Sequence, residues 1–368
     1  MDKNKKLVKQ LHFIPPPYGG VSIYVKRLNE RLNKDGYVSG AYYFAGKADE
    51  SIEKSPLYDS FQWLSTKRFI PRFIKLIKET KQYKIVHSHF GLESTIFLWT
   101  LSFFLRKKIV VTVHNSWSEN FYFSTNSINR FFLKQLAKTD ITWIAVSEEA
   151  RAQMQKLPVK FKNIRVIPAF IPNDSNYIEE DILSQSLIKF LNNKNILIVF
   201  YGHSFMKNGG HDVYGYNVAI EMFDELLKKY NNKLSLVMCI GEDDQVEINK
   251  LRNLAEEKGI NQSIYWQIGA IKEMNALWKY TDIYIRPTSS DGDSVAVREA
   301  LNLGIRVVAS DVCIRPQGTI LYHFNDISDF TNKVIECLNL EIEAPQQKDF
   351  YKEMLNVYKS INTSYLFE

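Results

Sequence analysis

The chain has 368 residues, more than one typical domain core accommodates, so we expect two domains. Its 45% hydrophobic and 24% charged residues are those of an ordinary globular protein, and its three widely spaced cysteines argue against a disulfide framework or a zinc site and indicate a reducing compartment. The formal net charge of +6 is uneven, because residues 1–180 hold 28 Lys and Arg against 16 Asp and Glu, a balance of +12, whereas the remainder carries −6.

Strand and helix patterns alternate through the first half of the chain. The N-terminus is charged and then apolar, but its apolar run is too short for a signal sequence, so it is interpreted as a first strand. No run approaches 18 uncharged apolar residues, so we expect no transmembrane helix. Strands are predicted at residues 7–14, 84–88, 109–113, 141–146 and 164–167, and helices at residues 21–34, from about 93, and after the N-cap Ser147.

Residues 63–84 alternate basic with aromatic and aliphatic side chains. This composition is typical of an amphipathic helix on an acidic membrane surface, although Pro71 predicts an interruption. Ordinary variation in surface charge explains the positive half equally well. Nucleic acid is less favoured as a partner, because no nucleic-acid-binding motif accompanies the charge.

The pattern restarts after a polar, turn-rich stretch at residues 172–176. We therefore assign residues 1–175 to a first domain and residues 190–346 to a second, and we expect the helical segment 347–368 to pack back on the first. Strands are predicted at residues 196–201, 234–240, 263–266, 283–285 and 307–309, with helices at residues 217–230, 246–259 and about 294–304.

Strands that alternate with helices predict an α/β protein with two doubly wound, Rossmann-like domains. Sites in such folds lie at the carboxyl ends of the strands, so we expect a ligand in a cleft between the two halves.

The segment at residues 285–312 is the most informative part of the sequence. An apolar strand ends in a Pro-Thr-Ser-Ser loop, and a helix follows from about Asp293 or Ser294. The unpaired N–H groups at a helix start suit a phosphate. Glu299 is an acid inside a helix of small and apolar residues, where it could bind a sugar hydroxyl.

Five segments follow one another along the chain: the Gly19-Gly20 loop, VVTVHN at residues 110–115, AVSEEAR at residues 145–151, VIPAFIP at residues 166–172, and Asp291 with Glu299. Together and in this order they resemble the family-4 retaining glycosyltransferases of the two-domain GT-B fold. Asp291 and Glu299 match the family's Glu-x7-Glu motif, with the first acid one methylene shorter.

The resemblance implies roles for several residues. Glu299 would hold the ribose hydroxyls of a nucleotide, while Asp291 and the backbone near Gly292 and Ser294 would face the sugar and the diphosphate. His114 would lie beside the transferred sugar. Gly19 and Gly20 would let the backbone approach the donor closely.

The first loop of the second domain departs from the family pattern. The family has Gly-Arg and then Lys, both of which touch the diphosphate, whereas this chain has Gly202-His203 followed by Lys207. Lys207 fits the lysine role. Either His203 or Arg315 could take the place of the arginine.

Simpler interpretations stand beside these. His114 could be a structural histidine, and Glu299 a solvated helix acid. His87 and His89 could form a metal pair on one strand face, but no third ligand is evident. The Asp291-Gly292-Asp293 sequence has the form of a metal-binding DxD, but Asp293 is explained better as a helix N-cap, so no metal site is predicted.

The sequence thus predicts a cytoplasmic, metal-independent enzyme that moves a sugar from a nucleoside diphosphate donor to an acceptor. A UDP-sugar is favoured over a GDP-sugar, and no cofactor is expected. The acceptor would be a glycan or a lipid-linked glycan of a bacterial surface polysaccharide, bound by the first domain, with peripheral attachment to the membrane. The alternatives are a sugar-nucleotide epimerase of the same architecture and a non-catalytic partner subunit.

Overall fold

The computed structural model describes residues 6–12, 19–43, 61–63, 69–115, 118–173, 183–192, 196–230, 234–269, 271, 273–339 and 347–362. The chain divides into two compact units. The first comprises Met1–Ile171 together with Asp349–Glu368, and the second comprises Pro172–Lys348.

The first unit alternates strands and helices. Its elements are β1 (Lys6–His12), α1 (Gly20–Lys34), β2 (Val38–Tyr43), β3 (Phe61–Trp63), α2 (Phe69–Thr80), β4 (Tyr83–Ser88), α3 (Thr95–Phe103), β5 (Lys108–Val113), α4 (Ser118–Ser124), α5 (Ser127–Lys138), β6 (Ile141–Ala145), α6 (Glu148–Gln155) and β7 (Ile164–Val166).

The second unit repeats this alternation. Its elements are α7 (Gln185–Asn192), β8 (Ile196–Gly202), β9 (Lys207–Asn208), β10 (His211–Asp212), α8 (Tyr216–Lys229), β11 (Leu234–Ile240), α9 (Gln245–Glu257), β12 (Ile264–Ile268), α10 (Asn275–Trp278), β13 (Ile283–Arg286), α11 (Val295–Asn302), β14 (Arg306–Ser310), β15 (Thr319–Tyr322) and α12 (Ile327–Asn339). The last helix, α13 (Tyr351–Asn362), lies in the first unit.

The first unit is built on a parallel sheet with strand order β3-β2-β1-β4-β5-β6-β7. Helices cover both sides of its central strands, so successive residues of a strand pack into opposite cores. Val111 packs against the core formed with α2, α3 and α5, whereas the preceding Val110 packs against α1 and α13.

The second unit has a six-stranded parallel sheet in the order β12-β11-β8-β13-β14-β15. Successive residues again face opposite cores, so that Phe200 packs with α8 and Val199 packs with α11. Two doubly wound, Rossmann-like units confirm the predicted fold class.

Helix α13 completes the first unit. Met354 and Tyr358 are fully buried in the core that includes Val8 and Val110. The Tyr351 hydroxyl donates to the Asp35 carboxylate at 2.6 Å. Helix α13 is therefore a docked element of that unit, whereas Gln347 and Lys348, which the sequence grouped with this segment, belong to the second unit.

Several local features differ from the sequence-based expectations. Residues 69–80 form one helix, because Pro71 falls in its first turn, where a missing N–H costs nothing. Ser294, rather than Asp293, caps α11, and its hydroxyl accepts the Val297 N–H. The hairpin of β9 and β10 was not predicted. No helix in the described residues is long and apolar enough to cross a membrane.

Candidate functional site

Each of the two large parallel sheets has one point where the strand order reverses: the strands that follow the unit's first strand are added on one side of it and the later strands on the other. In the first unit this switch lies between β1 and β4, and in the second between β8 and β13. Crevices outside the carboxyl ends of the strands at such points are the usual ligand sites of doubly wound folds. Most of the predicted site residues lie at these two places.

A buried charge cluster lies at the switch point of the second unit. Asp291 Oδ2 accepts from Arg286 Nε at 3.0 Å and from Arg315 Nη1 at 2.7 Å. Asp291 Oδ1 accepts the N–H of Gly292 at 3.1 Å. Two guanidinium groups on one carboxylate leave this cluster with a net positive charge.

The cluster explains the ionisation of its members. Burial alone would raise the pKa of Asp291, but Arg286 and Arg315 outweigh it and hold that pKa well below its usual value. Burial likewise disfavours the charged form of Arg286. The negative charge of Asp291 outweighs burial, so the pKa of Arg286 lies well above its usual value.

Arg286 was not predicted as a site residue. It ends the apolar strand β13, donates to the Tyr201 carbonyl at 3.2 Å and lies 5.2 Å from the centre of the Tyr214 ring. Its signal in the sequence is a lone cation at the carboxyl end of a buried strand, directly before Pro287.

Arg315 is structurally engaged. Its side chain is 2% exposed and also donates to the Ser310 carbonyl, the Ser310 hydroxyl and the Thr288 hydroxyl, at 2.9–3.1 Å. These bonds connect the loop after β14 to the loop after β13. Arg315 therefore shapes the positive cluster from within rather than offering an exposed cation.

Glu299 lies one turn into α11 and is 8% exposed. The indole N–H of Trp278 donates to its Oε2 across 3.4 Å. On the preceding turn, Asp293 accepts from Arg298 Nε at 2.7 Å. Both Asp291 and Asp293 are thus paired with guanidinium groups.

The first loop of the second unit begins at Gly202. A Cβ added there would collide with the Tyr216 ring, so glycine is required by close packing. Burial lowers the pKa of His203, with an opposing contribution from Glu242, so its imidazole is neutral at neutral pH. His203 therefore does not supply the positive charge of the arginine that the resemblance would place there.

Lys207 lies on β9 and is exposed. Its ammonium forms no ion pair with any residue that the structure describes, and it acts electrostatically on Asp212. Asp212 itself accepts from the backbone N–H groups of Tyr214 and Tyr216 at the start of α8. Lys207 is thus exposed on the hairpin, and Asp212 connects the hairpin to the start of α8.

A cluster of four histidines lies at the switch point of the first unit: His12, His87, His89 and His114. Nδ1 of His89 and Nε2 of His114 are 3.0 Å apart. Burial lowers the pKa of His12 to about 4 and that of His87 to about 3, and burial with neighbouring histidines holds those of His89 and His114 well below the usual value. All four are neutral at neutral pH.

The glycine turn lies next to this cluster through α1. Gly19 has φ of 87°, a backbone conformation that favours glycine, and Gly20 opens α1. Tyr24, one turn later, lies 5.9 Å from the rings of His89 and of His114. The predicted residues Gly19, Gly20 and His114 thus belong to one region.

His87 and His89, the pair for which a metal was considered as an alternative, contact other side chains of the protein. The rings of His87 and His89 lie 4.0 Å apart, and all four of their nitrogens have hydrogen-bonding partners within the protein. Across the described ranges, no group of three or more His, Cys, Asp or Glu is placed to hold a metal ion.

Two family models match the chain. Residues 18–174 match Glycosyltransferase Family 4, and residues 188–354 match Glycosyl transferases group 1. A search of curated proteins found no match.

Three solved structures illustrate the fold similarity. A sucrose-phosphate synthase from Thermosynechococcus elongatus is 17% identical, with a TM-score of 0.72 over 98% of this chain and 100% of that one. Anabaena Alr3699/HepE in complex with UDP-glucose is 12% identical, with a TM-score of 0.70 over 98% and 99%. WaaG, a glycosyltransferase involved in lipopolysaccharide biosynthesis, is 13% identical, with a TM-score of 0.65 over 96% and 99%.

Proposed function

Because this chain belongs to the family-4-like glycosyltransferases of the GT-B fold, we propose that it moves a sugar from a UDP-sugar to a glycan or lipid-linked acceptor with retention of anomeric configuration. The reaction would serve bacterial polysaccharide synthesis on the cytoplasmic side of the membrane. The observation that carries the proposal is the positive cluster of Arg286, Asp291 and Arg315 beside the start of α11. A net positive charge and a helix N-terminus both favour a diphosphate.

Glu299 would bind the nucleotide. As a buried acid on the same helix as the phosphate-facing N-terminus, it suits two ribose hydroxyls. The UDP-glucose in the Anabaena structure supports the choice of a uridine nucleotide, since that protein shares this fold over nearly its whole length.

Lys207 would stabilise the leaving diphosphate. A helix N-terminus contributes about 0.3–2 kcal/mol, whereas enzymes lower barriers by about 8–23 kcal/mol. A cation directed at the developing charge is therefore needed, and one well-placed electrostatic donor is worth about 10²–10³ in rate. Arg315 is already engaged by Asp291, Ser310 and Thr288, whereas the Lys207 ammonium is exposed.

Metal independence is part of the proposal. Asp291 and Asp293, the two carboxylates of the DxD-like sequence, are each held by a guanidinium group within 3.0 Å. Recruiting a cation would require breaking those pairs. Lys207, together with the net positive charge of the cluster, would then neutralise the diphosphate without a metal.

Sugar transfer tests the proposal. UDP-sugars and GDP-sugars are incubated with lipid-linked and soluble glycans, with and without excess EDTA, and the products are analysed by mass spectrometry. We expect acceptor-dependent transfer from a UDP-sugar that EDTA leaves unchanged. A changed sugar nucleotide without acceptor would instead identify the epimerase alternative, and rescue of EDTA-treated enzyme by Mg²⁺ or Mn²⁺ would show a metal site.

A membrane-linked acceptor is supported by an exposed aromatic surface on the first unit. This surface comprises Trp99, Phe103 and Phe104 near the end of α3, and Ile128, Phe131 and Phe132 on α5. Trp99 connects the two helices, because its ring lies 5.1 Å from that of Phe103 and 5.2 Å from that of Phe132. Phe103, Phe104, Ile128 and Phe131 are 55–66% exposed.

The charge around the aromatic surface favours an anionic bilayer. The exposed residues of ranges 103–106 and 123–138 include Arg106, Lys134 and Lys138 and no acid. By contrast, Phe73 and Ile77 of α2 pack against the core of the first unit, and Ile74, Lys75 and Lys78 of the same helix are exposed. The apolar part of a membrane contact would thus come from α3 and α5, and α2 would add charge; Arg68 lies outside the described residues.

Vesicle sedimentation tests the membrane contact. Binding should rise with anionic lipid and fall with salt, because exposed charges are screened. Phe103→Ser and Phe131→Ser should each weaken binding roughly tenfold or more, since a buried Phe is worth about 1.5–3 kcal/mol. Leu303→Ser, an exposed apolar residue of the second unit, is the control and should change nothing. Equal binding to neutral and anionic vesicles would rule out the charge-based contact.

A further inference from the structure

A line of hydrogen-bonded side chains connects His114 with the C-terminal helix. From the His89–His114 pair it continues through Nε2 of His89, which lies 2.8 Å from Oε1 of Gln10. The amide nitrogen of Gln10 lies 3.2 Å from the Tyr358 hydroxyl. Gln10 is 0% exposed and both it and Tyr358 are buried at the switch point of the first unit.

A second arm extends from Tyr358 to β5. The Tyr358 hydroxyl lies 2.6 Å from Nδ1 of His87, and Nε2 of His87 lies 2.7 Å from Oγ1 of Thr112. We call the six residues of both arms the imidazole relay: Thr112, His87, Tyr358, Gln10, His89 and His114. They come from β1, β4, β5, α13 and the loops after β4 and β5.

The imidazoles of the relay each carry a single N–H. Burial, reinforced at His89 and His114 by neighbouring histidines, holds the pKa of these three rings far below neutrality. A neutral imidazole donates from one nitrogen and accepts at the other. Each hydrogen bond along the relay therefore has a direction, and each direction fixes the next.

Gln10 sets the direction on the His114 side. Its Oε1 can only accept, so His89 donates from Nε2. Nδ1 of His89 is then an acceptor, and His114 must donate to it from Nε2. This leaves Nδ1 of His114 as a hydrogen-bond acceptor.

Tyr358 accepts the Gln10 amide N–H in this orientation. The Gln10 amide nitrogen donates to the Tyr358 oxygen, so the Tyr358 O–H donates to Nδ1 of His87, and Nε2–H of His87 donates to Thr112. Turning the amide over would reverse every bond in both arms. The orientation of one buried amide thus decides whether His114 offers an acceptor or a donor.

We propose that Gln10 and Tyr358 are positioning residues that hold His114 in its Nε2–H tautomer, so that Nδ1 of His114 accepts a hydrogen bond from a hydroxyl group of the bound sugar. The step to the sugar rests on the proposed function. The tautomer itself does not, because it follows from the placement of the Gln10 amide oxygen toward His89.

The tautomers can be read from long-range ¹H–¹⁵N correlation spectra of the ligand-free protein labelled at histidine. Signals are assigned with single His→Gln variants at positions 87, 89 and 114. We expect the Nε2–H form at all three rings. The Nδ1–H form at His89 and His114 would overturn the proposal.

Two variants test the cause. Tyr358→Phe and Gln10→Met should each give a mixture of tautomers at His114. The control is Tyr351→Phe, which removes another hydroxyl of α13 that bonds Asp35 and touches no imidazole. Unchanged His114 tautomers in both relay variants, or the same mixture in the control, would show that Gln10 and Tyr358 do not set the tautomer.

Kinetics separate this role from general damage. Tyr358→Phe should lower kcat about tenfold or less, as expected for one hydrogen bond, with the affinity for UDP unchanged, whereas Tyr351→Phe should leave both unchanged. Equal loss in the two variants would assign the effect to helix docking and overturn the proposed contact. Absence of any sugar transfer by the parent protein would instead count against the proposed function and leave the NMR result standing.

Discussion

Asp291 balances two buried cations in the second unit. Arg286 and Arg315 side chains are 10% and 2% exposed, and both bind the same carboxylate oxygen. Breaking a buried ion pair by removing one partner typically costs about 3–5 kcal/mol, because the other charge stays buried without compensation. We therefore expect Asp291→Asn to destabilise the second unit by about that amount, measured by urea unfolding.

Asp293→Asn is the matched control for Asp291→Asn. It also removes a buried carboxylate from the same loop, but its partner Arg298 also donates to Gln347 and so keeps a polar partner when Asp293 is lost. The loss of stability in Asp293→Asn should be clearly smaller than the loss in Asp291→Asn. Equal destabilisation by the two variants would contradict a special role for Asp291 in charge balance.

Some residues of this region could be grouped from the sequence and others could not, for a physical reason. Asp291, Ser294 and Glu299 lie within one strand–helix connection, so their spacing alone places them together. Arg286 acquires its role only when β13 lies beside β8 and the loop brings Asp291 back to it. Its charge at the end of an apolar strand was visible, but its partner was not.

The histidines show the same limit. The His87-x-His89 spacing correctly predicts two neighbouring rings, since side chains two residues apart share a strand face. Their partners Gln10, Thr112 and Tyr358 come from three other elements, one of them 271 positions away from His87. The spacing therefore could not show which groups the four ring nitrogens contact.

The buried histidines at the carboxyl ends of β1, β4 and β5 should make the first unit less stable in acid. The histidines of the unfolded chain titrate near 6.5, whereas burial lowers the pKa of His12 to about 4 and that of His87 to about 3. Between those values the unfolded state binds more protons, so stability is present above about pH 6.5 and is lost as the pH falls. In the pH range between the folded and unfolded pKa values, each such histidine lowers the free energy of unfolding by about 1.4 kcal/mol for every pH unit of acidification.

Urea unfolding at about pH 7 and about pH 5 measures this effect. His87→Gln should be less stable than the parent at the higher pH but should lose less on acidification. His323→Gln, at a side chain that is 83% exposed, should follow the parent at both values. A parent protein equally stable at the two pH values would contradict the burial of neutral histidines.

Elements with strong apolar periodicity were predicted well. Elements that exist through pairing with another segment of the chain were not. β8, β11 and β13 are apolar runs buried on both faces, a pattern that the sequence shows directly. The β9–β10 hairpin has two residues in each strand and exists through its pairing and through Asp212. Its amino acids therefore gave a loop signal only.

At the scale of the molecule, two sheets of the same design carry different chemistry at their switch points. The second unit gathers charge, with Arg286, Asp291 and Arg315, whereas the first gathers neutral, hydrogen-bonding histidines. Under the proposed function, the charged site would bind the diphosphate and the neutral site would bind sugar hydroxyls.

In the proposed function, the second unit binds a nucleoside diphosphate at α11 through Glu299. Calorimetric titration of UDP into the parent protein and into Glu299→Ala tests it, with Glu257→Ala, an exposed acid on α9, as the control. We predict UDP binding by the parent and the control, and a loss of roughly 10- to 150-fold in Glu299→Ala, because hydrogen bonds to a charged group are worth about 1.5–3 kcal/mol. Unchanged affinity in Glu299→Ala, or no binding of UDP by the parent, would contradict it.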